Sequence, residues 1–210
     1  VRMIPLVAVA ASLALVGACA DDPATPRAQA SGTPVPAVSV SASGAAPSAS
    51  AGAATDPAFV DPAPAAAAGK IGPGTECAIP ATLPTAAKWT PKDASSYRWS
   101  TGGLTLRCEI DAKPAGAIGF IRVFTYEGTD AQQALAVLMI TPLFGGKTTG
   151  EREITIGGKS GVEAALAANM NGPGRAFAAG GVLVVWRGAD EDEFKAGLPA
   201  YVLARTAISF

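Results

Sequence analysis

The chain has 210 residues, a formal charge of −1 and no histidine. The near-neutral balance excludes the basic excess that marks nucleic-acid binders, and the missing imidazole removes the most versatile acid–base group and the commonest metal ligand. Hydrophobic residues reach 49%, but alanine carries much of that figure, and it is concentrated in the first part of the chain, which cannot build a core.

Near the N-terminus, Leu15-Val16-Gly17-Ala18-Cys19 has the form of a bacterial lipoprotein signal box. Arg2 supplies the basic start, Met3 to Leu15 is apolar apart from Ser12, and Gly17 and Ala18 are the small residues that let a peptidase reach the backbone. Val16 stands where such boxes most often carry leucine. The reading makes residues 1–18 a signal peptide and Cys19 the lipidated residue, carrying a diacylglyceryl group with its palmitate-type chains. Two acyl chains hold stably to a bilayer where one does not. The competing reading is an uncleaved anchor over Met3 to Ala20, eighteen uncharged residues, against the roughly 20 apolar ones a spanning helix needs.

Giving Cys19 to the lipid leaves Cys77 and Cys108, which an exported compartment favours as a disulfide. Closing a loop of 31 residues stabilises the fold by about 3–4 kcal/mol on the chain-entropy argument. The alternative is two separate buried thiols.

Residues 19–74 are rich in Ala, Pro, Ser, Thr and Gly, with Phe59 as the only aromatic. Such composition buries too little apolar surface to offset its conformational entropy and reads as a disordered tether. As a flexible coil it spans roughly 40 Å on average. Residues 75–210 remain for one globular domain.

Pro80, Pro84 and Pro91 punctuate the domain's start, with Trp89 pinned into the core. Leu104, Leu106, Cys108 and Ile110 then alternate with Thr105, Arg107, Glu109 and Asp111, the period of a half-buried strand. After a turn at Pro114 and Gly116, Ala117 to Tyr126 reads as a strand apolar on both faces. Arg122 interrupts one of those faces, which places it near an edge or beside a carboxylate of the preceding strand. Asp130 caps a helix to about Ile140, ended by Pro142 and Gly145-Gly146. Glu151 to Ile156 is a strand and Gly157-Gly158 a tight turn.

The segment at 161–169 is open to two readings. Ser160 and Glu163 imitate a helix capping box in an alanine-rich run, but turns flank it on both sides, and we take it as a strand. Arg175 to Ala179 and Val182 to Trp186 form a hairpin across Gly180-Gly181. Asp190 opens the last helix, which Pro199 either kinks or begins. The class is α+β, an antiparallel sheet covered by two helices.

This order of elements, the Cys-Glu-Ile-Asp strand at Cys108 to Asp111 and the closing Leu198-Pro199-Ala200-Tyr201 resemble membrane lipoproteins of actinobacteria, the high-GC Gram-positive bacteria. These are similar in fold to the PsbP-like superfamily. The resemblance covers about Glu76 to Phe210, favours a strand at 161–169, and implies a PsbP-like sandwich acting as an accessory or binding module. It brings no catalytic residues.

Candidate chemistry is sparse. Gly146-Lys147-Thr148 and Gly158-Lys159-Ser160 imitate a phosphate loop but lack its earlier glycine, those positions holding Thr141 and Glu153. Glu109 with Asp111, and Glu151 with Glu153, are paired carboxylates that also suit a solvated strand face. Asp190 to Glu193 is acidic, as helix starts commonly are, and lacks calcium-loop spacing. Trp89, Tyr97 and Trp99 form an aromatic group, and a strand would put Tyr97 and Trp99 on one face, as core packing or as a sugar- or lipid-binding platform. We therefore expect a lipid-anchored, extracytoplasmic, non-catalytic binding or accessory module with no cofactor or metal. Its expected partners are the membrane and an envelope glycolipid, wall polymer or membrane protein, with no nucleic acid. The rivals are a carboxylate-dependent envelope hydrolase and an accessory subunit of a transporter or sensor.

Overall fold

The computed structural model describes residues 56–128, 130–142 and 144–210. Ten strands and two helices follow in order: β1 (Ala67–Ile71), β2 (Leu83–Ala86), β3 (Thr90–Asp93), β4 (Ser100–Thr101), β5 (Leu104–Asp111), β6 (Gly119–Tyr126), α1 (Ala131–Met139), β7 (Thr148–Ile156), β8 (Lys159–Leu166), β9 (Gly174–Ala179), β10 (Val182–Gly188) and α2 (Glu191–Ala207). Strands β1 and β2 pair as a separate ribbon, and the main sheet runs β3-β5-β6-β10-β9-β8-β7, with β4 beside β5. Its pairings are all antiparallel.

The two helices cover opposite faces of this sheet, each over its own core. Val182, Val184 and Trp186 of β10 pack with Phe177, Ile121 and the α2 residues Leu198, Tyr201 and Val202. The alternate residues Leu183 and Val185 pack with Phe124, Ala176 and the α1 residues Leu135 and Leu138. Every residue of β10 is buried, as a central strand covered on both sides requires. Helix α2 seats closely on Trp186 because Gly197 has no side chain: a Cβ there would collide with the indole ring.

Local chemistry explains most boundaries. The Asp130 side chain accepts from Gln133 N, and that of Asp190 from Glu193 N, so each helix begins on a capping aspartate. The turns at Gly157-Gly158 and Gly180-Gly181 carry positive φ at both residues, the two-residue hairpin geometry that glycine adopts most easily. The alanine-rich run at 161–169 is strand as far as Leu166, within β8, whose neighbours β7 and β9 override its helix propensity, and residues 167–169 lie beyond the strand. Helix α2 begins at Glu191 and runs through Pro199, so the proline is not its start.

Strand β5 departs from the simple alternation. Its register against β6 slips between Leu106 and Cys108, leaving Arg107 as an extra residue. Leu104 and Leu106 therefore face α1, whereas Cys108 and Ile110 face α2. On the α2 side Cys108 meets Cys77, and the two form the expected disulfide.

Sequence assigns Asp56 to Gly74 to the end of the tether, but the structure packs this stretch on the domain. Phe59 is buried in a 3-10 turn over Pro57–Phe59, Ala65 N bonds Pro199 O, and β1 pairs with β2. Composition misses this because the docking is ionic as well as apolar. Asp61 accepts from Arg175 Nη1 at 2.5 Å and from Arg205 Nη2 at 2.5 Å. Beneath it Glu163, fully buried, accepts from Arg152, Arg205 and the Tyr201 hydroxyl.

No helix among the described residues is long and apolar enough to cross a membrane.

Candidate functional site

The slip in β5 builds the site. It turns Glu109 toward α1, directly across from Arg122 of β6. Arg122 Nε donates to Glu109 Oε1 at 2.7 Å, the second of the two placements the sequence leaves open for that arginine. The guanidinium lies 5.0 Å from the centre of the Phe144 ring and 5.4 Å from that of Phe120, within cation–π range. Among the described residues the two Nη groups of Arg122 make no hydrogen bond.

Aromatic rings wall this pair. Trp99 meets Phe144 edge-on at 5.0 Å and Phe124 at 5.3 Å, and the two phenylalanines stand 5.3 Å apart. Tyr97 and Trp99 arrive by a route the sequence does not suggest. They lie not in one strand but on either side of Arg98, whose left-handed backbone (φ 49°) reverses the chain after a 3-10 turn over Ser95–Tyr97. The Asp93 side chain holds that turn through Ser95 N and Oγ. Trp99 then packs inward while Tyr97 is 67% exposed. Together with Leu106, Asn171, Phe144, Glu109 and Arg122 they line a cleft of about 300 Å³.

Trp89 does not belong to this group. It is 9% exposed and meets Trp186 edge-on at 5.5 Å in the core beneath α2, on the opposite face of the sheet. The three aromatics therefore form no common platform; β3, pairing along the outer side of β5, separates Trp89 from the turn that carries Tyr97 and Trp99.

Behind the wall, Arg187 is buried without a carboxylate partner among the described residues. It donates to the carbonyls of Phe144, Gly145, Ala167 and Gly172, at 3.1, 2.9, 3.3 and 2.5 Å. Burial first, and the charge of Arg122 second, bring its pKa down to about 10. Through these bonds Arg187 fixes the loops that present Phe144 and Asn171. Sequence reasoning marks both stretches as turns but misses the arginine that ties them, for which the available signal is a lone charge at the end of the apolar run Val182 to Trp186.

The paired carboxylates are engaged separately. Asp111 shares a face with Glu109 but accepts from Lys92 Nζ at 2.6 Å and from Lys113 N at 2.9 Å. The Lys92 hydrogen bond and then the Lys113 amide hold its carboxyl below the usual range. A glycosidase-type general acid needs the opposite shift. Glu151 accepts from Gln132 Nε2 at 2.9 Å. Glu193, in the acidic helix start, accepts from Ile118 N at 2.7 Å. Among the described residues no group of three or more His, Cys, Asp or Glu side chains is placed to hold a metal.

The cleft thus has an aromatic wall, and its floor holds a carboxylate and an arginine whose Nη groups make no hydrogen bond among the described residues. These features define a small α+β domain, disulfide-bonded and with a polar-floored aromatic cleft. Residues 47–208 match the Lipoprotein_23 family, described as an uncharacterised lipoprotein, and the chain belongs to that family. No curated protein and no solved structure matches the chain.

Proposed function

We propose that the protein is an envelope lipoprotein held to the outer side of the membrane through a diacylglyceryl group on Cys19, and that its domain binds an envelope component without catalysis. Cys19 and the signal box lie outside the described residues, and the family membership supports the anchor. Residues 19–55 then serve as the spacer between lipid and domain. The run of two strands, helix, four strands and helix from β5 onward supports the resemblance to PsbP-like domains, which is part of this proposal.

The observation that carries the binding role is the cleft between Tyr97, Trp99 and Phe144 over the Glu109–Arg122 pair. A sugar ring or lipid headgroup laid against Trp99 gains aromatic contact. Its acceptor atoms meet the free Nη edge of Arg122, and its hydroxyls meet the Glu109 carboxylate. This dual chemistry suits an envelope glycolipid or a wall polymer.

Tryptophan fluorescence tests the reading. Titration with purified envelope glycolipids and with soluble wall fragments should give a saturable change for one of them. The change should disappear in Arg122→Gln and in Trp99→Phe, with the folded state verified by circular dichroism. No saturable change with any of these probes removes the cleft as a binding site.

A further inference from the structure

A second site lies on the other face of the sheet, where the leading segment docks. Arg152 of β7, Arg175 of β9 and Arg205 of α2 converge there on two carboxylates, Glu163 and Asp61. Three guanidinium charges against two carboxylates leave one positive charge in excess. The Phe59 ring lies 4.4 Å from the Arg152 guanidinium and 5.5 Å from that of Arg175. Arg175 Nη2 also takes the carbonyls of Ala58 and Val60, at 2.7 and 3.0 Å.

The two carboxylates are not equivalent. Glu163 is sealed, held by Arg152 of β7 and by Arg205 and Tyr201 of α2. The Asp61 side chain is 27% exposed and arrives on the segment nearest the spacer. Arg152 is 34% exposed on its side chain, and among the described residues its Nη1 makes no hydrogen bond. The Nε of Arg175 is buried without a partner among the described residues. Beside this cluster, Arg152 and Arg205 line a cleft of about 380 Å³ together with Thr155, Gly157 and Thr206. Glu163 thus belongs to the fold, while Asp61 occupies a cationic site that has donors to spare and an open approach.

We propose that Arg152, Arg175 and Arg205 form a carboxylate-binding site that Asp61 fills in cis. A carboxylate ligand entering beside Arg152 and Arg205 takes the place of Asp61 and frees the leading segment, Asp56 to Ala66. Ligand binding then lengthens the spacer by that segment. The two carboxylate oxygens of Asp61 each meet a different guanidinium, so the site reads a planar, two-oxygen anion that bridges Arg175 and Arg205.

Hydrogen exchange of the whole chain tests this, with glutarate as the probe and sodium chloride at equal ionic strength as the control. Glutarate should raise exchange at the amides of Phe59 and Ala65, which bond Asp56 O and Pro199 O, by roughly five-fold or more over chloride. Arg152→Gln should suppress that response. In Asp61→Asn the cis competitor is neutral, so calorimetry should show glutarate binding roughly five-fold or more tighter than in the wild type. Equal exchange in glutarate and chloride, or no tighter binding in a folded Asp61→Asn, makes Asp61 a fixed strut and overturns the proposal. Should Asp61→Asn fail to fold, the wild-type exchange comparison decides alone.

Discussion

Leu106 and Cys108 stand two residues apart in one strand, yet they face opposite sides of the sheet. Leu106 pairs with Phe124 over α1 and Cys108 with Val123 under α2, because Arg107 is an unpaired extra residue between them. A single inserted residue reverses every side chain beyond it, since the strand period is two. The bulge therefore aims Cys108 at Cys77 and Glu109 at Arg122. Deleting Arg107 should restore regular pairing without turning any side chain. The cost is the bond from Ala94 N to Arg107 O, about 1 kcal/mol. Deleting Glu109 instead reverses one side of the cut and should abolish folding. Urea unfolding of both deletions checks this contrast.

The Cys77–Cys108 bridge closes a sequence separation of 31 residues and ties the loop between β1 and β2 to the main sheet. Reduction, or Cys77→Ser with Cys108→Ser, should lower stability by about 3–4 kcal/mol. Mass spectrometry should find no free thiol at these two positions in the oxidised protein, and chemical denaturation with and without reductant gives the stability difference.

Glu163→Gln removes the buried negative charge that holds Arg152 and Arg205 and keeps a hydrogen-bond acceptor for Tyr201. Among the described residues Asp61 alone then faces Arg152, Arg175 and Arg205, a loss of about 3–5 kcal/mol for a broken buried pair. Glu151→Gln, on an exposed position whose partner is Gln132, should change stability by less than about 0.5 kcal/mol. Equal effects of the two substitutions would contradict the buried role of Glu163.

Asp61 also sets an acid response. Burial raises its pKa, but hydrogen bonds from Arg205 and then Arg175 outweigh that effect and hold it below the ordinary 3.8. The unfolded chain therefore binds more protons than the folded one in the window just below 3.8. Its stabilisation is present in full above that value and is lost as pH falls through the folded value. Denaturation measured from about pH 5 to pH 2 should show a shallower fall for Asp61→Asn than for the wild type. Asp93 and Asp111, lowered by their own hydrogen bonds, keep part of the slope in both proteins.

Arg187→Lys keeps the charge but not the fork that reaches four carbonyls in two loops. We expect a loss of at least about 2 kcal/mol. Amide exchange at Gly145 and Gly172 should accelerate, and the cleft that Phe144 and Asn171 help to line should loosen with it. A lysine variant as protected as the wild type would show that these loops hold without the arginine.

What can be read along the chain is what depends on near neighbours. Strand alternation, the glycine pairs that close the two hairpins, and the capping aspartates of both helices are local preferences, and they place most of the main sheet and its helices. The pairing of Cys77 with Cys108 follows from counting thiols once Cys19 is assigned to lipid, and the lipoprotein class follows from five residues that agree with the family match. Tertiary structure decides whatever depends on partners distant in sequence. Neighbouring strands make a strand of the alanine-rich run as far as Leu166, and an unpaired Arg107 divides one apparent face of β5 between two cores. Packing sends Trp89 and Trp99 to opposite sides of the sheet. Asp61 and Arg205, 144 positions apart, turn a stretch with the composition of a tether into part of the fold. No local signal announces these contacts, because the energy of a buried charge or ring is set by what surrounds it in space.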